Sequence, residues 1–182
     1  MTDLRVIVLV GSLRTDSLNR RIAETLRDQA PAGVTLEIVD GLGELPFYDE
    51  DLDGENVPAV VRAVREKVAT GDRVLAVTPE YNGTMPAVLN NAIDWLSRPF
   101  GAGAIQDKPF GVVGATPTPY GGTWAHADTA RSAGIAGAVV VEEVLVSQSA
   151  IDVDVIGDPE VFGRLVGAVQ ALVDFQPAPA AA

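Results

Sequence analysis

Apolar and polar residues follow two alternating patterns along this chain. The first is a continuous apolar run, Val6 to Val10, which predicts a strand that is buried on both faces, as in a parallel sheet. The second begins at Ser17, where Leu18, Ile22 and Leu26 recur with helical spacing and predict one apolar helix face. Because the two patterns then repeat in turn, we expect strands and helices to alternate along the chain.

The same alternation continues to the end of the sequence. Further strands are predicted over residues 34–39, 74–77, 110–113 and 138–146, and further helices over residues 57–68, 86–96, 123–134 and 161–173. Glu142 and Glu143 interrupt the last strand, and Pro86 suits an early helical position. Strands that alternate with helices predict an α/β fold, a doubly wound parallel sheet with right-handed crossovers.

Length and the N-terminal pattern indicate a single soluble domain. The chain has 182 residues, enough for one domain with a full core. We expect residues 1–175 to form that domain and residues 176–182 to be a flexible tail. The first apolar run is too short to span a membrane and lacks the basic start and cleavage site of a signal peptide, so we expect a cytoplasmic protein.

Charge and the lack of cysteine exclude several kinds of site. With 25 acidic and 13 basic residues the net charge is −12, which argues against nucleic acid or an anionic membrane surface as a partner. Because there is no cysteine, the chain cannot hold a thiolate metal site or a catalytic thiol. The single histidine, His126, has no clustered partner, so no metal site is predicted. An anionic ligand would need its own local donors.

Three predicted strands end in loops of unusual composition, over residues 11–19, 78–83 and 114–122. Ligands of doubly wound sheets bind beyond the carboxyl ends of the strands. Since the loops follow the first, third and fourth strands, we expect them to converge on one crevice.

The first loop, GSLRTDSLNR, carries donors that suit a phosphate. Gly11 permits a tight turn, Arg14 offers a planar guanidinium, and the following helix offers free N–H groups. The loop has neither the Gly-Lys-Ser/Thr of a nucleotide triphosphatase nor the glycine pattern of a dinucleotide-binding turn. An ordinary turn with Asp16 or Ser17 as helix N-cap is the alternative interpretation.

The second loop, TPEYNGTMP, is stiffened by a proline near each end. Gly83 permits a positive φ and Tyr81 offers a flat apolar face, so the loop can present main-chain N–H groups and an aromatic wall to a planar heterocycle. A rigid strand-to-helix turn with Tyr81 packed nearby is the alternative interpretation.

Together these motifs resemble the NAD(P)H-dependent FMN reductase family, and within it the small flavodoxin-like quinone, chromate and azo reductases. The resemblance is carried by GSLRTDSLNR, by TPEYNGTMPAVLNNAIDWLSRP and by the intervening LPFYDEDL. It implies a flavodoxin-like five-stranded parallel sheet in a three-layer α/β/α arrangement, tightly bound FMN, and dimers or tetramers. It also implies hydride transfer from NADPH or NADH to the flavin, then ping-pong reduction of a quinone, azo compound, chromate or free flavin.

The resemblance also assigns cofactor-binding residues. The phosphate of FMN would be held by Ser12, Arg14, Ser17, Leu18 and Asn19, and the isoalloxazine edge would be lined by Pro79, Glu80, Tyr81, Asn82 and Gly83. Loop backbone near the flavin would come from Gly114, Ala115, Gly121 and Gly122. Trp124 stands where the family often has an arginine, so no nicotinamide or acceptor contact is assigned there.

Other conspicuous residues are given ordinary structural roles. No catalytic acid or base is predicted, because flavin chemistry belongs to the cofactor. His126 is expected to be a surface or helix-cap residue whose loss matters little, and the acidic run at 49–53 a solvated loop. Trp95 is expected in the core or in a subunit interface, where its helix could cover the flavin of a partner subunit.

Two other functions stay open from the residues. One is a flavodoxin-type electron carrier without a nicotinamide site, although flavodoxins have a threonine-rich phosphate loop where this chain has Ser12 and Arg14. The other is a phosphate-binding α/β module with no redox role. The sequence favours neither NADPH nor NADH, because no residue that reads a ribose 2′-phosphate is identifiable, and it does not specify the acceptor.

Overall fold

The computed structural model describes residues 3–177, in which strands and helices alternate as predicted. The strands are β1 (Leu4–Val10), β2 (Val34–Ile38), β3 (Arg73–Val77), β4 (Pro109–Thr116), β5 (Val139–Val140) and β6 (Val146–Ser149). The helices are α1 (Leu18–Asp28), α2 (Ala59–Ala69), α3 (Ala87–Leu96), α4 (Thr123–Ile135) and α5 (Pro159–Asp174).

The strands form one parallel sheet in the order β2-β1-β3-β4, and both β5 and β6 pair with β4 at its edge. In its register Val8 pairs with Ile38 on one side and with Leu75 on the other. The strand predicted over 138–146 is two short strands, because residues Glu142–Val144 form a 3₁₀ turn between them. The doubly wound, flavodoxin-like sheet is confirmed, with β5 and β6 sharing the fifth strand position.

Helices cover both faces of the sheet, because successive side chains of a strand point to opposite faces. Ile7 and Leu9 pack with apolar residues of α2, α3 and α4. Val6, Val8 and Val10 pack with apolar residues of α1 and α5 on the other face. The predicted three-layer α/β/α arrangement is therefore confirmed.

β4 is longer than the hydrophobic pattern predicts. It runs through Thr116, so Gly114 and Ala115 lie in the strand beside β6 and not in a loop, which corrects the expectation. Small residues give little hydrophobic signal, so the local sequence does not predict a strand at Gly114 and Ala115. Pairing with β6 holds these two residues in the sheet. Gly114 is required at this place, since a Cβ there would lie 2.1 Å from the carbonyl oxygen of Thr78.

The starts of two helices settle two details of the prediction. Ser17 is the N-cap of α1, because its hydroxyl oxygen accepts a hydrogen bond from the Arg20 N–H at 3.2 Å. Pro86 precedes α3 and does not lie within it, because its ψ of 143° is extended. Its φ of −59° still directs the chain into the helix that follows.

The division into a domain over 1–175 and a tail over 176–182 stays a prediction, because residues 178–182 lie outside the described part of the chain. The longest described helix, α5, has 16 residues. Between residues 3 and 177, no helix combines the length and the apolar character needed to cross a membrane.

Candidate functional site

The loops that follow β1, β3 and β4 meet at the carboxyl edge of the sheet. The Gly11 N–H donates to the Val77 carbonyl oxygen at 2.9 Å, which joins the ends of β1 and β3. A Cβ at Gly11 would lie 2.3 Å from Oγ1 of Thr78, so only glycine permits this close approach. The convergence that the sequence predicts is therefore present for the loops after β1 and β3.

The loop after β1 exposes several hydrogen-bond donors. Arg14, Thr15 and Asp16 are exposed, and Arg14 forms no ion pair with any residue between 3 and 177. The N–H groups of residues 12–16, 18 and 19 find no acceptor in the described part of the chain. Because these groups lie at the N-terminus of α1, they favour the binding of an anion such as a phosphate.

Ser17 and Asn19 are both buried, and Asn19 anchors this loop to the end of β4. The Asn19 Nδ2 donates to the Ala115 carbonyl oxygen, and its Oδ1 accepts from the Ala115 N–H, both at 2.9 Å. The Ser17 hydroxyl accepts from the Arg20 N–H and keeps its own hydrogen for donation. For Asn19, what is left for a ligand is the main-chain N–H.

The loop after β3 is a tight hairpin. Tyr81 and Thr84 exchange main-chain hydrogen bonds of 3.0 and 3.1 Å, and Asn82 and Gly83 between them have φ values of 53° and 75°. Positive φ at both central residues is the requirement of a type I′ turn, which Asn-Gly satisfies. Tyr81 is about half exposed, and the N–H groups of Glu80, Asn82 and Gly83 find no acceptor among residues 3–177. The hairpin is thus both rigid, as predicted, and equipped with free donors.

The hairpin is braced against α4 at two points. The Glu80 carboxylate accepts from the Ala125 N–H at 3.0 Å and so caps α4, whose N-cap Gly122 has no side chain to do this. Thr84 donates to the Asp128 carboxylate. This hydrogen bond, followed by that from Arg131, lowers the pKa of Asp128. Glu80 is therefore occupied by helix capping in the structure.

Two consecutive glycines end the loop after β4. Gly121 and Gly122 have φ values of 63° and 95°, and a Cβ at Gly121 would lie 2.7 Å from the Gln148 main chain. This packing brings the loop against the end of β6 and starts α4. Tyr120 and Trp124 flank the glycines, both half exposed, with ring centroids 4.5 Å apart and planes inclined by 48°. An exposed aromatic pair therefore lies at the edge of the crevice, next to the residue that Glu80 caps.

The expectation that His126 is a surface or helix-cap residue is wrong. Its side chain is 1% exposed. Nε2 lies 3.0 Å from the Thr78 carbonyl oxygen, and Nδ1 lies 2.7 Å from Oγ of Ser147. Burial lowers the pKa of His126. The local sequence gives no sign of this, because α4 has alanines and small residues on several sides and no strong apolar stripe.

Two residues of α3 hold the segment around Pro46 beside the sheet edge. The Asn91 Oδ1 accepts from the Tyr48 N–H at 2.8 Å, and its Nδ2 donates to the Pro46 carbonyl oxygen at 2.9 Å. The Trp95 Nε1 donates to the same oxygen at 2.8 Å. Sequence reasoning assigned no role to Asn91, although the paired motifs LPFYDEDL and NNAIDW contain both sides of this contact.

Trp95 is fully buried in its own chain, so of the two roles left open it belongs to the core. Its ring meets Tyr48 edge-on, with centroids 4.9 Å apart, and the Arg65 guanidinium lies 5.3 Å from its centroid. Arg65 also binds the Asp53 carboxylate through both terminal nitrogens, at 2.7 and 3.0 Å. The expectation of a wholly solvated acidic run is therefore wrong at Asp53. Among residues 3–177, no group of acidic or histidine side chains has the arrangement of a metal site.

The fold and these three loops define a class of protein: a flavodoxin-like α/β domain with a donor-rich loop beside a rigid aromatic hairpin. The chain belongs to the NADPH-dependent FMN reductase family, whose family model matches residues 4–152.

Individual relatives agree with this membership. A quinone reductase of Pseudomonas putida is 45% identical over 121 residues, which cover 66% of this chain and 64% of the relative. A 2-hydroxy-1,4-benzoquinone reductase of a Burkholderia species is 44% identical over 113 residues, which cover 62% and 61%. The match thus spans less than two thirds of the length of these curated relatives. The solved structure of FerB, a flavoenzyme NAD(P)H:acceptor oxidoreductase of Paracoccus denitrificans, is 34% identical, with a TM-score of 0.82 over 94% of this chain and 96% of FerB.

Proposed function

We propose that this protein is an FMN-dependent oxidoreductase of the cytoplasm that takes hydride from NADPH or NADH and reduces a small-molecule acceptor. The acceptor would be a quinone, an azo compound, chromate or free flavin. One observation carries the proposal: the free donors at the start of α1 and the free donors of the 80–83 hairpin share one edge of the sheet. This arrangement suits a ligand with a phosphate at one end and a polar planar ring at the other.

The phosphate end of FMN fits the loop after β1. The Arg14 guanidinium, which has no ion-pair partner among residues 3–177, supplies charge, and Ser12, Ser17 and the N–H groups of residues 12–16, 18 and 19 supply donors. In a chain with a net charge of −12, such local donors are what an anionic ligand requires. Asn19 acts indirectly, because its side chain is bound to Ala115 and fixes the first turn of α1.

The ring end of FMN fits the hairpin after β3. Free N–H groups of Glu80, Asn82 and Gly83 would bind the polar edge of the isoalloxazine, and the half-exposed Tyr81 would provide an apolar wall. Pro79 is buried and fixes the direction of the chain. When bound, FMN supplies the hydride-accepting and electron-donating chemistry, and the protein supplies orientation.

From Gly114 onward, the residues of β4 and of the loop after it would hold the flavin-binding loops in place and would not bind the flavin ring. Both the N–H and the carbonyl oxygen of Ala115 are bound to Asn19, and Gly114 allows Thr78 to pack closely. Gly121 brings the rim of the crevice close to β6, and Gly122 packs against His126 and Thr116. We therefore assign Gly114 and Ala115 a supporting role and the two later glycines a place in the rim.

The aromatic pair at the rim of the crevice favours planar acceptors. Tyr120 and Trp124 present exposed rings at the crevice, and aromatic faces bind planar molecules by stacking. The names of the relatives point the same way, since those from Pseudomonas putida and Burkholderia are quinone reductases. One crevice would serve the nicotinamide and the acceptor in turn, so the kinetics should be ping-pong.

Anaerobic reduction of the purified protein tests the proposal and separates its alternatives. The protein should carry flavin absorbance, NADPH or NADH should bleach it, and a quinone should restore it. A flavodoxin-type carrier would hold FMN without rapid bleaching by either nicotinamide. A protein that binds no flavin when incubated with FMN would instead be a phosphate-binding module, and the proposed function would be wrong.

Self-association into a dimer or tetramer is part of the proposal, but not through Trp95, which is buried. Exposed apolar side chains lie elsewhere: Phe100 is 90% exposed and Ile135 76% exposed, and both line a cavity of about 500 Å³ between α3 and α4. Burial of such side chains in a symmetric interface would be favourable. Light scattering of the FMN-loaded protein at micromolar concentration should give at least twice the monomer mass, and a monomer with full activity would contradict it.

A further inference from the structure

His126 is the single histidine of the chain and lies at the junction of three elements. It projects from α4, its Nε2 meets the carbonyl oxygen of Thr78 at the end of β3, and its Nδ1 meets the hydroxyl of Ser147 on β6. Thr78 directly precedes the hairpin that we propose to bind the flavin ring. The histidine therefore connects this hairpin to the opposite side of β4.

The partners of the ring define its tautomer. A carbonyl oxygen can only accept, so the 3.0 Å contact with Thr78 requires a hydrogen on Nε2. In a neutral ring Nδ1 then accepts, and the Ser147 hydroxyl donates to it over 2.7 Å. Both ring nitrogens are satisfied in this one neutral form.

The surroundings are shaped for the ring. A Cβ at Gly114 would lie 3.0 Å from Nε2, and a Cβ at Gly122 would lie 3.2 Å from it. Two glycines, one in β4 and one at the N-cap of the helix that carries His126, thus leave the space that the imidazole occupies. Gly122 also has a φ of 95°, so a larger residue would be strained there as well.

We propose that His126, in its neutral Nε2–H form, is a positioning residue that sets the place of the flavin-binding hairpin through the Thr78 carbonyl. The proposal rests on the proposed function, because it assumes that the 79–83 segment binds the flavin ring. His126 itself does not act as acid or base.

The same geometry makes flavin binding sensitive to acid. A second proton would convert Nδ1 into a donor that faces Ser147, whose hydroxyl would have to turn its hydrogen elsewhere. The charge would also be buried, and burial lowers the pKa of His126. Glu80, on the hairpin, is the ionisable group that acts on the ring and partly opposes this effect. Near the ring, α1, β4 and β6 contribute the uncharged residues Asn19, Gly114 and Ser147.

Two variants and two ligands test the proposal. His126→Ala leaves the buried Thr78 carbonyl without its donor, so it should weaken binding of both FMN and riboflavin by about tenfold or more. His126→Gln can still donate to Thr78 and accept from Ser147, so both affinities should stay within about threefold of the wild type. Arg14→Ala is the matched control, because it should weaken FMN alone. Affinities are measured by fluorescence titration, with circular dichroism to confirm folding.

The acid response gives an independent readout. FMN affinity of the wild type should fall as the pH is lowered from 7 to 5, whereas that of His126→Gln should fall less, because glutamine does not titrate. With a single histidine, nitrogen-15 NMR reports the tautomer directly, with or without flavin.

Three results would overturn the positioning role: unchanged flavin affinity in folded His126→Ala, the same acid response in His126→Gln as in the wild type, or an Nδ1–H tautomer. If His126→Ala does not fold, the last two results still decide. Failure of the wild type to bind any flavin would overturn the proposed function itself.

Discussion

Asn19 and Ala115 form a closed pair of hydrogen bonds, in which the side-chain amide of Asn19 both donates to and accepts from the main chain of Ala115 at 2.9 Å. The pair joins the first turn of α1 to the end of β4 across 96 residues of sequence. It thereby fixes the donor-rich loop relative to the end of β4. The chain continues from there to the Tyr120–Trp124 pair.

Replacing Asn19 tests how much this pair contributes to the fold. Asn19→Ala should lower the free energy of unfolding by about 2–4 kcal/mol, because it leaves a buried N–H and a buried carbonyl without partners. Urea unfolding of the flavin-free protein measures this. Thr15→Ala, at an exposed position of the same loop, should change stability by less than about 0.5 kcal/mol. Equal stabilities of the two variants would show that the pair is replaceable.

Substitution of Arg14 distinguishes the phosphate end of the proposed cofactor site from its ring end. Arg14→Ala should reduce FMN affinity by about 1.5–3 kcal/mol, because it removes a charge-assisted contact to the phosphate. Riboflavin lacks the phosphate, so its affinity should hardly change. Arg14→Lys keeps the charge without the planar fork and should fall between the two. An equal loss for FMN and riboflavin would place Arg14 away from the phosphate.

Trp124 should govern the choice of acceptor. The exposed Tyr120–Trp124 pair favours neutral planar molecules. Arg131, on the same helix as Trp124, is already paired with Asp128, so its charge is offset. Trp124→Arg should lower kcat/KM for an uncharged benzoquinone by about three- to tenfold through lost stacking and raise it for a sulfonated quinone. Trp124→Phe is the control and should stay close to the wild type for both. Parallel changes for the two quinones would mean that Trp124 does not contact the acceptor.

Stability should depend on pH through His126. Its pKa in the folded protein is lowered by burial from an ordinary value of 6.5, so the unfolded chain takes up the proton first as the pH falls. The free energy of unfolding of the wild type should therefore decrease below about pH 6.5, until the folded protein is protonated as well. His126→Gln removes this component, so the difference between the two proteins in urea unfolding at pH 8 and pH 5 isolates it. A constant difference across that range would contradict a buried neutral histidine.

The fold follows from the apolar patterns wherever they are strong. Val6 to Val10 and the Ile22–Leu26 stripe predict their strand and helix because burial on one or two faces leaves a periodic signal. The end of β4 has no such signal: Gly114 and Ala115 are small, and β6 holds them in the sheet from far along the chain. Local pattern cannot show a partner that tertiary structure supplies.

The site shows the same division. The positions of the three loops follow from strand order, and the motifs identify the donors of the first loop. The burial of His126 and the capping of α4 by Glu80 depend on contacts that span 48 and 45 residues, and neither changes the local residue pattern. The sequence shows a single histidine near a helix start. It does not indicate that this side chain will contact the carbonyl oxygen of Thr78.

Kinetics should show that donor and acceptor use one crevice in turn. The loops after β1, β3 and β4 meet at one edge, and the exposed Tyr120–Trp124 pair lies beside the residue that Glu80 caps, so we expect a nicotinamide and a quinone to compete for the same place. Double-reciprocal plots at several fixed quinone concentrations should be parallel, and each substrate at high concentration should inhibit competitively against the other. In stopped-flow measurements, Trp124→Ala should slow flavin reduction by NADPH as well as reoxidation by quinone, because both would stack on the same rim. Intersecting plots, together with a ternary complex in equilibrium binding, would instead require two separate pockets.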